Sequence, residues 1–331
     1  MKNAYLAGVA FALGFASVAT MASAQSLTIY SGRGEALIGP LVAQFEAETG
    51  IDAEVRYGST AEMAALLMEE GENTPADLFW AQDAGALGAL APHFSDLAAS
   101  VNETVLPVFR DPSNKWVATS GRTRVLVYST DRVEEGALPA AITDLTDEAY
   151  RGRVAWAPTN GSFQAFVTAF RLTHGDDAAK AWLEGMIANE TKVYRNNGTQ
   201  IEGIANGEVD FGLVNNYYLG RYTAADAEYP VDQTHFGAGD IGNLVLVAGA
   251  GVIDVSDNKD NAQAFIDFLL SPAAQQYITL SGNEYPVREG IIPQATLEPL
   301  ATVQEISPAV NVNDIGDLEG TLSLLRDVGL L

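Results

Sequence analysis

The chain has 331 residues, of which 43 are acidic and 18 basic, giving a formal net charge of −25. This excess of negative charge argues against binding to nucleic acid or to anionic membrane surfaces. Cysteine is absent, which excludes disulfides, thiolate nucleophiles and thiolate metal sites, and the three histidines (His93, His174 and His235) have no metal-type spacing. The length predicts two domains.

The first 24 residues have the layout of a cleaved secretory leader. Lys2 precedes an apolar stretch that ends in the small residues Ala22, Ser23 and Ala24. The mature chain is expected to begin near Gln25, and the alternative is a retained anchor. No later segment has the roughly 18 uninterrupted apolar residues of a membrane span. We therefore predict a soluble, exported protein with no direct membrane insertion.

Strand and helix signals alternate through the first hundred residues. The strand "LTIYSG" (27–32) is followed by a helix that ends at Gly50, with one apolar face formed by Leu37, Leu41, Val42 and Phe45. After the strand "IDAEVRYG", Ser59 and Glu62 form a capping-box pattern ahead of the next helix. The strand "ADLFWA" and the short helix "DAGALGALAP" come next. This order predicts an α/β fold with mostly parallel sheets.

The middle of the chain contains two stretches that could cross between domains. Residues 116–130 ("WVATSGRTRVLVYST") form a long extended segment, and "NLVLVAGAGVI" (243–253) is a strand that could cross back. Between them the order strand, polar loop, helix occurs three times, and Thr199 with Glu202 predicts a capping box for the second of these helices. Later, an amphipathic helix is broken at Ser271 and Pro272, and the tail is helical.

The three polar loops of the middle region are candidates for one shared site. They contain Asn160-Gly161-Ser162, Asn196-Asn197-Gly198 and Asn215-Asn216. Ligands of open α/β sheets bind beyond the carboxyl ends of the strands, and the N–H groups at helix starts favour anions. The pattern therefore indicates an anion-tolerant site. The alternative is ordinary turn and cap chemistry, since Asn, Gly and Ser dominate turns.

The third loop continues into "VNNYYLG" (214–220), with two adjacent tyrosines after a strand. A single phenol is usually a core or surface residue. Two adjacent phenols that both face a cleft would be a pair of hard oxygen donors.

These motifs resemble those of the periplasmic ferric-ion-binding proteins of bacterial ABC importers. The resemblance covers nearly the whole mature chain, and "NGEVDFGLVNNYYLG" is its most specific part, with "LTIYSGRGEAL", "WAPTNGSF" and "EYPVREGI" adding to it. It implies a type II, transferrin-lobe-like fold with a ligand cleft between two lobes joined by crossover strands. The expected ranges are a leader (1–24), the N-terminal lobe (25–124 and 246–298), the C-terminal lobe (125–245) and tail helices that pack on the C-terminal lobe (299–331).

In that family the paired tyrosines bind Fe(III) as tyrosinates, and the matching residues are Tyr217 and Tyr218. Fe(III) is hard and highly charged, so by the ligand-softness argument it favours anionic oxygen. A bound cation also favours the deprotonated phenol. Two tyrosinates leave one positive charge, which a synergistic anion such as carbonate or phosphate would offset.

The resemblance also implies which residues hold the anion. They are Asn160, Gly161, Ser162, Asn197 and Asn215 in the polar loops, together with Arg33 and Arg122, since arginine suits bidentate anion binding. Alternatively, Arg33 is a surface arginine near a helix start, and Arg122 serves only in an ion pair that packs the domains.

Three positions depart from the family pattern. Gly34 stands where many members have histidine, Gln82 (with Asp83 next) where one subgroup has glutamate, and Phe163 where another has a third tyrosine. Gln82 is retained as a cleft contact, and few direct ligands are expected from the N-terminal half. Tyr30 and Tyr57 lie near the expected cleft loops but are assigned to structure, because each sits in an apolar strand pattern.

Together these features predict a monomeric receptor that hands Fe(III) to an inner-membrane ABC permease. The alternative is the same fold binding an oxyanion, a phosphonate or a small organic anion without metal. An enzyme is not expected, because the sequence has no Ser/His/Asp spacing, carboxylate-pair motif or phosphate-loop glycine pattern.

Overall fold

The computed structural model describes residues 26–310 and 315–331. The predicted leader and its cleavage point lie outside these residues. None of the described helices is long and apolar enough to cross a membrane.

The described strands form one mixed sheet. The bounds of the strands are β1 Ser26–Ser31, β2 Asp52–Tyr57, β3 Leu78–Ala81, β4 Val117–Ser129, β5 Val154–Trp156, β6 Lys192–Val193, β7 Phe211–Asn215, β8 Val231–Thr234 and β9 Val245–Val252. Their order is β2-β1-β3-β9-β4-β7-β5-β6, and β8 pairs with β4 beside this path. The prediction of mostly parallel sheets is wrong, because every pairing made by β4 and β9 is antiparallel.

Strand β4 joins two parts of this sheet. Its first half, residues 117–123, pairs with β9, which continues to β3, β1 and β2. Its second half pairs with β7 and β8, and β7 continues to β5 and β6. The predicted crossing segments 116–130 and 243–253 therefore lie side by side at the centre of the sheet.

The helices lie between the strands, as the alternating pattern predicts. The bounds are α1 Glu35–Thr49, α2 Thr60–Glu70, α3 Ala84–Leu90, α4 Ala99–Glu103, α5 Gly161–His174, α6 Asp176–Ala188, α7 Asn197–Ala205, α8 Leu219–Thr223, α9 Lys259–Leu269, α10 Pro272–Gly282, α11 Leu300–Ile306 and α12 Leu318–Asp327. Helix α12 packs on α5, and the hydroxyl oxygens of Thr321 and Thr168 are hydrogen-bonded at 2.7 Å between them.

Several helix ends follow the sequence signals. Gly50 ends α1 in the left-handed conformation that favours glycine (φ 72°). Ser59 and Glu62 form the predicted capping box of α2. The prediction that Thr199 and Glu202 cap α7 is wrong. Asn196 caps this helix by accepting from the Thr199 N–H, and Asn is as good an N-cap residue as Ser or Thr.

The core lies on both faces of the sheet. A large cluster of buried apolar side chains packs around β1, β3, β9 and helices α1, α5, α6 and α9. A smaller cluster, which includes Val127, Val214 and Ile204, lies between the second half of β4, β7 and α7. Strands β5, β6 and β7 run parallel, so their carboxyl ends meet at one edge. The first two predicted polar loops follow β5 and β6 at that edge, and the third begins at Asn215, the last residue of β7.

Candidate metal centre

The paired tyrosines lie in the turn between β7 and α8. The rings of Tyr217 and Tyr218 stack with centroids 4.4 Å apart and planes inclined by 27°. Tyr217 is only 2 % exposed, whereas Tyr218 is half-buried. Both line a cleft of about 510 Å³, which we call the tyrosine cleft. Its other lining residues are Arg33, Gly34, Ala36, Leu37, Gln82, Arg221, Ser281 and Glu284.

The electrostatic surroundings keep Tyr217 protonated when no cation is near. Burial raises the pKa of its phenol, and the neighbouring Tyr218 and Glu284 raise it further. The charge of Arg122 acts in the opposite direction without reversing the shift. A bound metal cation would supply the missing driving force for deprotonation.

Gln82 connects the first part of the sheet to the tyrosine pair. It follows β3, and its side-chain Nε2 donates a 2.9 Å hydrogen bond to the phenol oxygen of Tyr217. With Tyr218, Gln82 separates the tyrosine cleft from a second cleft of about 370 Å³. This second cleft, the asparagine cleft, is lined by Asn160, Gly161, Ser162, Asp83, Thr60 and Arg195, among others.

Arg221 was not among the residues predicted for the site. Its guanidinium carbon lies 5.5 Å from the ring centroid of Tyr217 and 4.9 Å from that of Tyr218. Cations at such distances are attracted to the faces of aromatic rings. The sequence did contain a signal for this contact. Arg221 follows Tyr218 by three residues and Tyr217 by four, and side chains at these spacings are neighbours on a helix.

Arg33 is buried and not a surface arginine. Its Nη2 lies 2.8 Å from Oε2 of Glu284, which also accepts a hydrogen bond from the Ser120 hydroxyl. Burial alone would raise the pKa of Glu284, but the charges of Arg33 and Arg122 hold it below its usual range. Sequence reasoning missed Glu284, because 251 positions separate it from Arg33.

Arg122 lies within β4, fully buried, and lines neither cleft. Its Nη2 donates to the Val247 carbonyl at 3.3 Å. Within the described ranges, its Nε and Nη1 have no hydrogen-bond partner and no acidic side chain forms a salt bridge with it. The predicted alternative of a domain-packing ion pair is therefore absent from these residues.

Asn215 is also fully buried, at the end of β7. Its Oδ1 accepts from Arg124 at 3.1 Å and its Nδ2 donates to the Ser162 hydroxyl at 3.1 Å. Burial lowers the pKa of Arg124 to about 9. The side chain of Asn215 thus connects the crossover strand to the first turn of α5 and does not line either cleft.

The loop at residues 160–162 begins α5 on the wall of the asparagine cleft. Oδ1 of Asn160 accepts from the backbone N–H groups of Ser162 and Phe163, so this residue acts as an N-cap. Asn197 is buried at the start of α7. Its Nδ2 has no partner in the described parts of the chain, and it lines neither cleft.

The positions that depart from the family pattern have different surroundings. Gly34 borders the tyrosine cleft, and a Cβ atom added there would meet nothing within 4 Å. Phe163 packs its ring edge-on against Trp156 in the core, with centroids 5.7 Å apart. A tyrosine could occupy position 163 only by burying its hydroxyl in that aromatic cluster.

The two other tyrosines near the cleft loops line neither cleft. The Tyr30 hydroxyl donates to the carboxylate of Glu70, and Tyr57 is 37 % exposed at the end of β2. Across residues 26–310 and 315–331, no group of three or more His, Asp or Glu side chains could hold a metal ion.

The fold and this cleft define a type II periplasmic binding protein, a two-lobed α/β protein with its ligand site between the lobes. Over residues 40–303 the chain matches the model of the bacterial extracellular solute-binding proteins, and it belongs to that family.

Several similar proteins are named for the binding of ferric iron. The major ferric iron-binding protein of Neisseria meningitidis serogroup B is 32 % identical over 315 residues, which cover 92 % of this chain and 93 % of that protein. The Fe(3+)-binding periplasmic protein of Serratia marcescens is 30 % identical, with coverage of 93 % and 91 %. The crystal structure of iron-bound HitA from Pseudomonas aeruginosa superposes with a TM-score of 0.87 at 34 % identity, covering 92 % of this chain and 99 % of HitA. The resemblance to the ferric-binding group is confirmed.

Proposed function

We propose that this protein is a periplasmic receptor that captures Fe(III) between its two lobes and delivers it to an inner-membrane ABC permease. The observation that carries the proposal is the stacked pair of Tyr217 and Tyr218 on the wall of the tyrosine cleft. The names of the relatives support iron as the cargo.

The two phenols are the proposed metal ligands. Fe(III) favours anionic oxygen, and its charge favours loss of the phenolic protons. Two tyrosinates leave one positive charge on the complex, and a synergistic anion such as carbonate or phosphate would neutralise it. The proposed anion contacts are Arg33, which lines the tyrosine cleft, and the loop at residues 160–162, which lines the asparagine cleft.

The remaining predicted anion residues have a supporting part in this proposal. Asn197, Asn215 and Arg122 lie behind the cleft walls, where Asn215 holds the Ser162 hydroxyl. In this proposal the N-terminal lobe comprises residues 25–124 and 246–298, and the C-terminal lobe comprises residues 125–245. The tail, residues 299–331, packs on the C-terminal lobe. We propose that residues 1–24 direct export and are then removed. The mature protein is a monomer that closes around the ion by hinge motion.

The absorption spectrum of the full chain tests the metal ligands. Tyrosinate bound to Fe(III) absorbs visible light, so addition of Fe(III) to the purified protein should produce a coloured complex. Tyr217→Phe and Tyr218→Phe should each shift or remove the band and weaken iron retention. Tyr194→Phe is the matched control, because its hydroxyl bonds Glu208 away from both clefts. Unchanged spectra for both cleft variants would place the iron elsewhere.

The anion is tested separately, by measuring Fe(III) affinity with and without carbonate and phosphate. Affinity should depend on which anion is supplied, and Arg33→Gln should reduce that dependence. Equal affinity in anion-free and carbonate buffers would refute the synergistic anion.

A metal-free anion receptor is the second candidate. The start of α5 on the wall of the asparagine cleft favours it, because the N–H groups at a helix start attract anions. Colour discriminates between the two: an oxyanion, phosphonate or organic-anion receptor stays colourless when Fe(III) is added.

A further inference from the structure

Glu284 is the one acidic side chain among the described residues that line the tyrosine cleft. It lies two residues beyond the end of α10, and its side chain is only 2 % exposed. The backbone of its neighbour Tyr285 exchanges two hydrogen bonds with Gly121 of β4. This bridge fixes Glu284 in the first part of the sheet, whereas Tyr217 and Tyr218 follow β7 in the second.

The two oxygens of this carboxylate have different surroundings. Oε2 lies 2.8 Å from Nη2 of Arg33 and also accepts a hydrogen bond from the Ser120 hydroxyl. Oε1 accepts no hydrogen bond from the described residues. It is also not among the described polar atoms that are shut off from solvent without a partner. Oε1 therefore borders the open space of the cleft, with its lone pairs free for a ligand.

The free oxygen belongs to an ionised group that lies near the phenols. Although burial opposes ionisation, the charges of Arg33 and Arg122 hold the pKa of Glu284 below its usual range, so the carboxyl is charged at neutral pH. Burial, Tyr218 and the charge of Glu284 together raise the pKa of Tyr217, so this carboxylate and this phenol lie within electrostatic reach of each other. Fe(III) favours anionic oxygen of this kind.

We propose that Glu284 binds the iron through Oε1, as a third protein ligand contributed by the first part of the sheet. This role rests on the Fe(III) function proposed above. Gly34 and Gln82 line the same cleft from that part of the sheet and offer no anionic oxygen. Because Arg33 stays beside Oε2, the site as a whole keeps the one positive charge that the synergistic anion offsets. Ligands from both parts of the sheet would also stabilise the closed state.

A double-mutant cycle with Arg33 tests whether Glu284 binds the metal or only balances a buried charge. Fe(III) affinity is measured by chelator competition at saturating carbonate, for Arg33→Gln and for the double variant that adds Glu284→Gln. The double variant should fold, because neither charge of the pair is left buried alone. If Glu284 acted only through Arg33, the two variants would bind iron equally. We expect the double variant to bind at least about tenfold more weakly.

Infrared difference spectra of iron-loaded and iron-free protein give a second readout that a charge-balancing role would not change. A carboxylate that becomes a metal ligand shifts its C–O stretching bands. The wild type and Arg33→Gln should therefore show shifted bands that the double variant lacks. Glu70→Gln is the matched control, because Glu70 accepts from the Tyr30 hydroxyl and lines neither cleft, and it should leave both readouts unchanged.

The outcomes separate this role from the iron function itself. Equal iron affinity in Arg33→Gln and the double variant, or the absence of a shifted carboxylate band, would refute the role of Glu284. The iron function would then still stand if the wild type forms the visible ferric band. A wild type that forms no ferric band would refute both.

Discussion

The side-chain amide of Gln82 donates to the phenol oxygen of Tyr217 at 2.9 Å, across 135 positions of the chain. Gln82 follows β3 in the first part of the sheet, and Tyr217 follows β7 in the second. A donor directed at this oxygen favours the anionic phenol. Gln82 stands where one subgroup of the family has glutamate. It thus contacts a proposed metal ligand, Tyr217, through an uncharged hydrogen-bond donor.

Replacement of this amide by a carboxylate should strengthen iron binding. Gln82→Glu introduces an anionic oxygen beside Tyr217, and Fe(III) favours such ligands. We expect Fe(III) affinity to rise on the order of tenfold, measured by competition with a chelator. Gln263→Glu is the matched control, because it makes the same change on the exposed face of α9. A lower or equal affinity in a correctly folded Gln82→Glu would show that position 82 does not reach the metal.

Iron affinity should fall as the pH falls. Burial and the neighbouring Tyr218 raise the pKa of Tyr217, so protons compete with the metal for its oxygen throughout the neutral range. Each phenolic proton released adds one unit to the slope of log K against pH, so two tyrosines predict a slope of about two between about pH 5 and 8. No histidine lines either cleft, so no imidazole step is expected near pH 6.5. Chelator competition corrected for the chelator's own protonation measures this, and a flat profile would mean that no phenol deprotonates.

A histidine at position 34 should add a ligand. Gly34 has extended backbone angles (φ −70°, ψ 138°) that any residue adopts, and the space beyond its Cα is open towards the tyrosine cleft. Gly34→His should raise Fe(III) affinity on the order of tenfold and introduce a protonation step near pH 6.5. Gly34→Ala should do neither, which separates ligation from the mere presence of a side chain. If the histidine variant matched the alanine variant, the ion would lie out of reach of α1.

The buried pair of Arg33 and Glu284 should contribute to stability. Glu284→Gln leaves Arg33 buried without its counter-charge, and we expect the free energy of unfolding at pH 7 to fall by about 3 kcal/mol. The pKa of Glu284 is held below its unfolded value of about 4.3, so its contribution is complete above that pH and is lost as the pH falls through the folded-state pKa. Denaturant titrations of wild type and variant should converge at low pH. Asp96→Asn breaks the exposed contact with Lys115 and should change little.

Local sequence patterns predicted much of the fold. The stop at Gly50, the capping box of Ser59 and Glu62 and the break before Pro272 all depend on residues within one helical turn, and all are present. The start of α7 was misjudged, because Asn196 and Thr199 both fit a cap and only the backbone path decides between them.

The candidate site was predictable only in part, because its contacts are distant in sequence. The adjacency of Tyr217 and Tyr218 is visible in the chain itself. The partner of Arg33 is not, since Glu284 reaches it through the bridge between Gly121 and Tyr285. The burial of polar side chains was equally impossible to predict from the sequence. Asn197 and Asn215 are typical turn residues, yet here they lie behind the walls and not on them.

The sharing of β4 between the two parts of the sheet has a consequence for how the molecule unfolds. Residues 117–123 bond to β9, and the next six residues bond to β7 and β8, so neither part keeps a complete sheet if this strand leaves. We therefore expect the two parts of the sheet to unfold together. In deuterated solvent the amide hydrogens of Val117–Ser129 should be among the last to exchange, at a rate set by global unfolding.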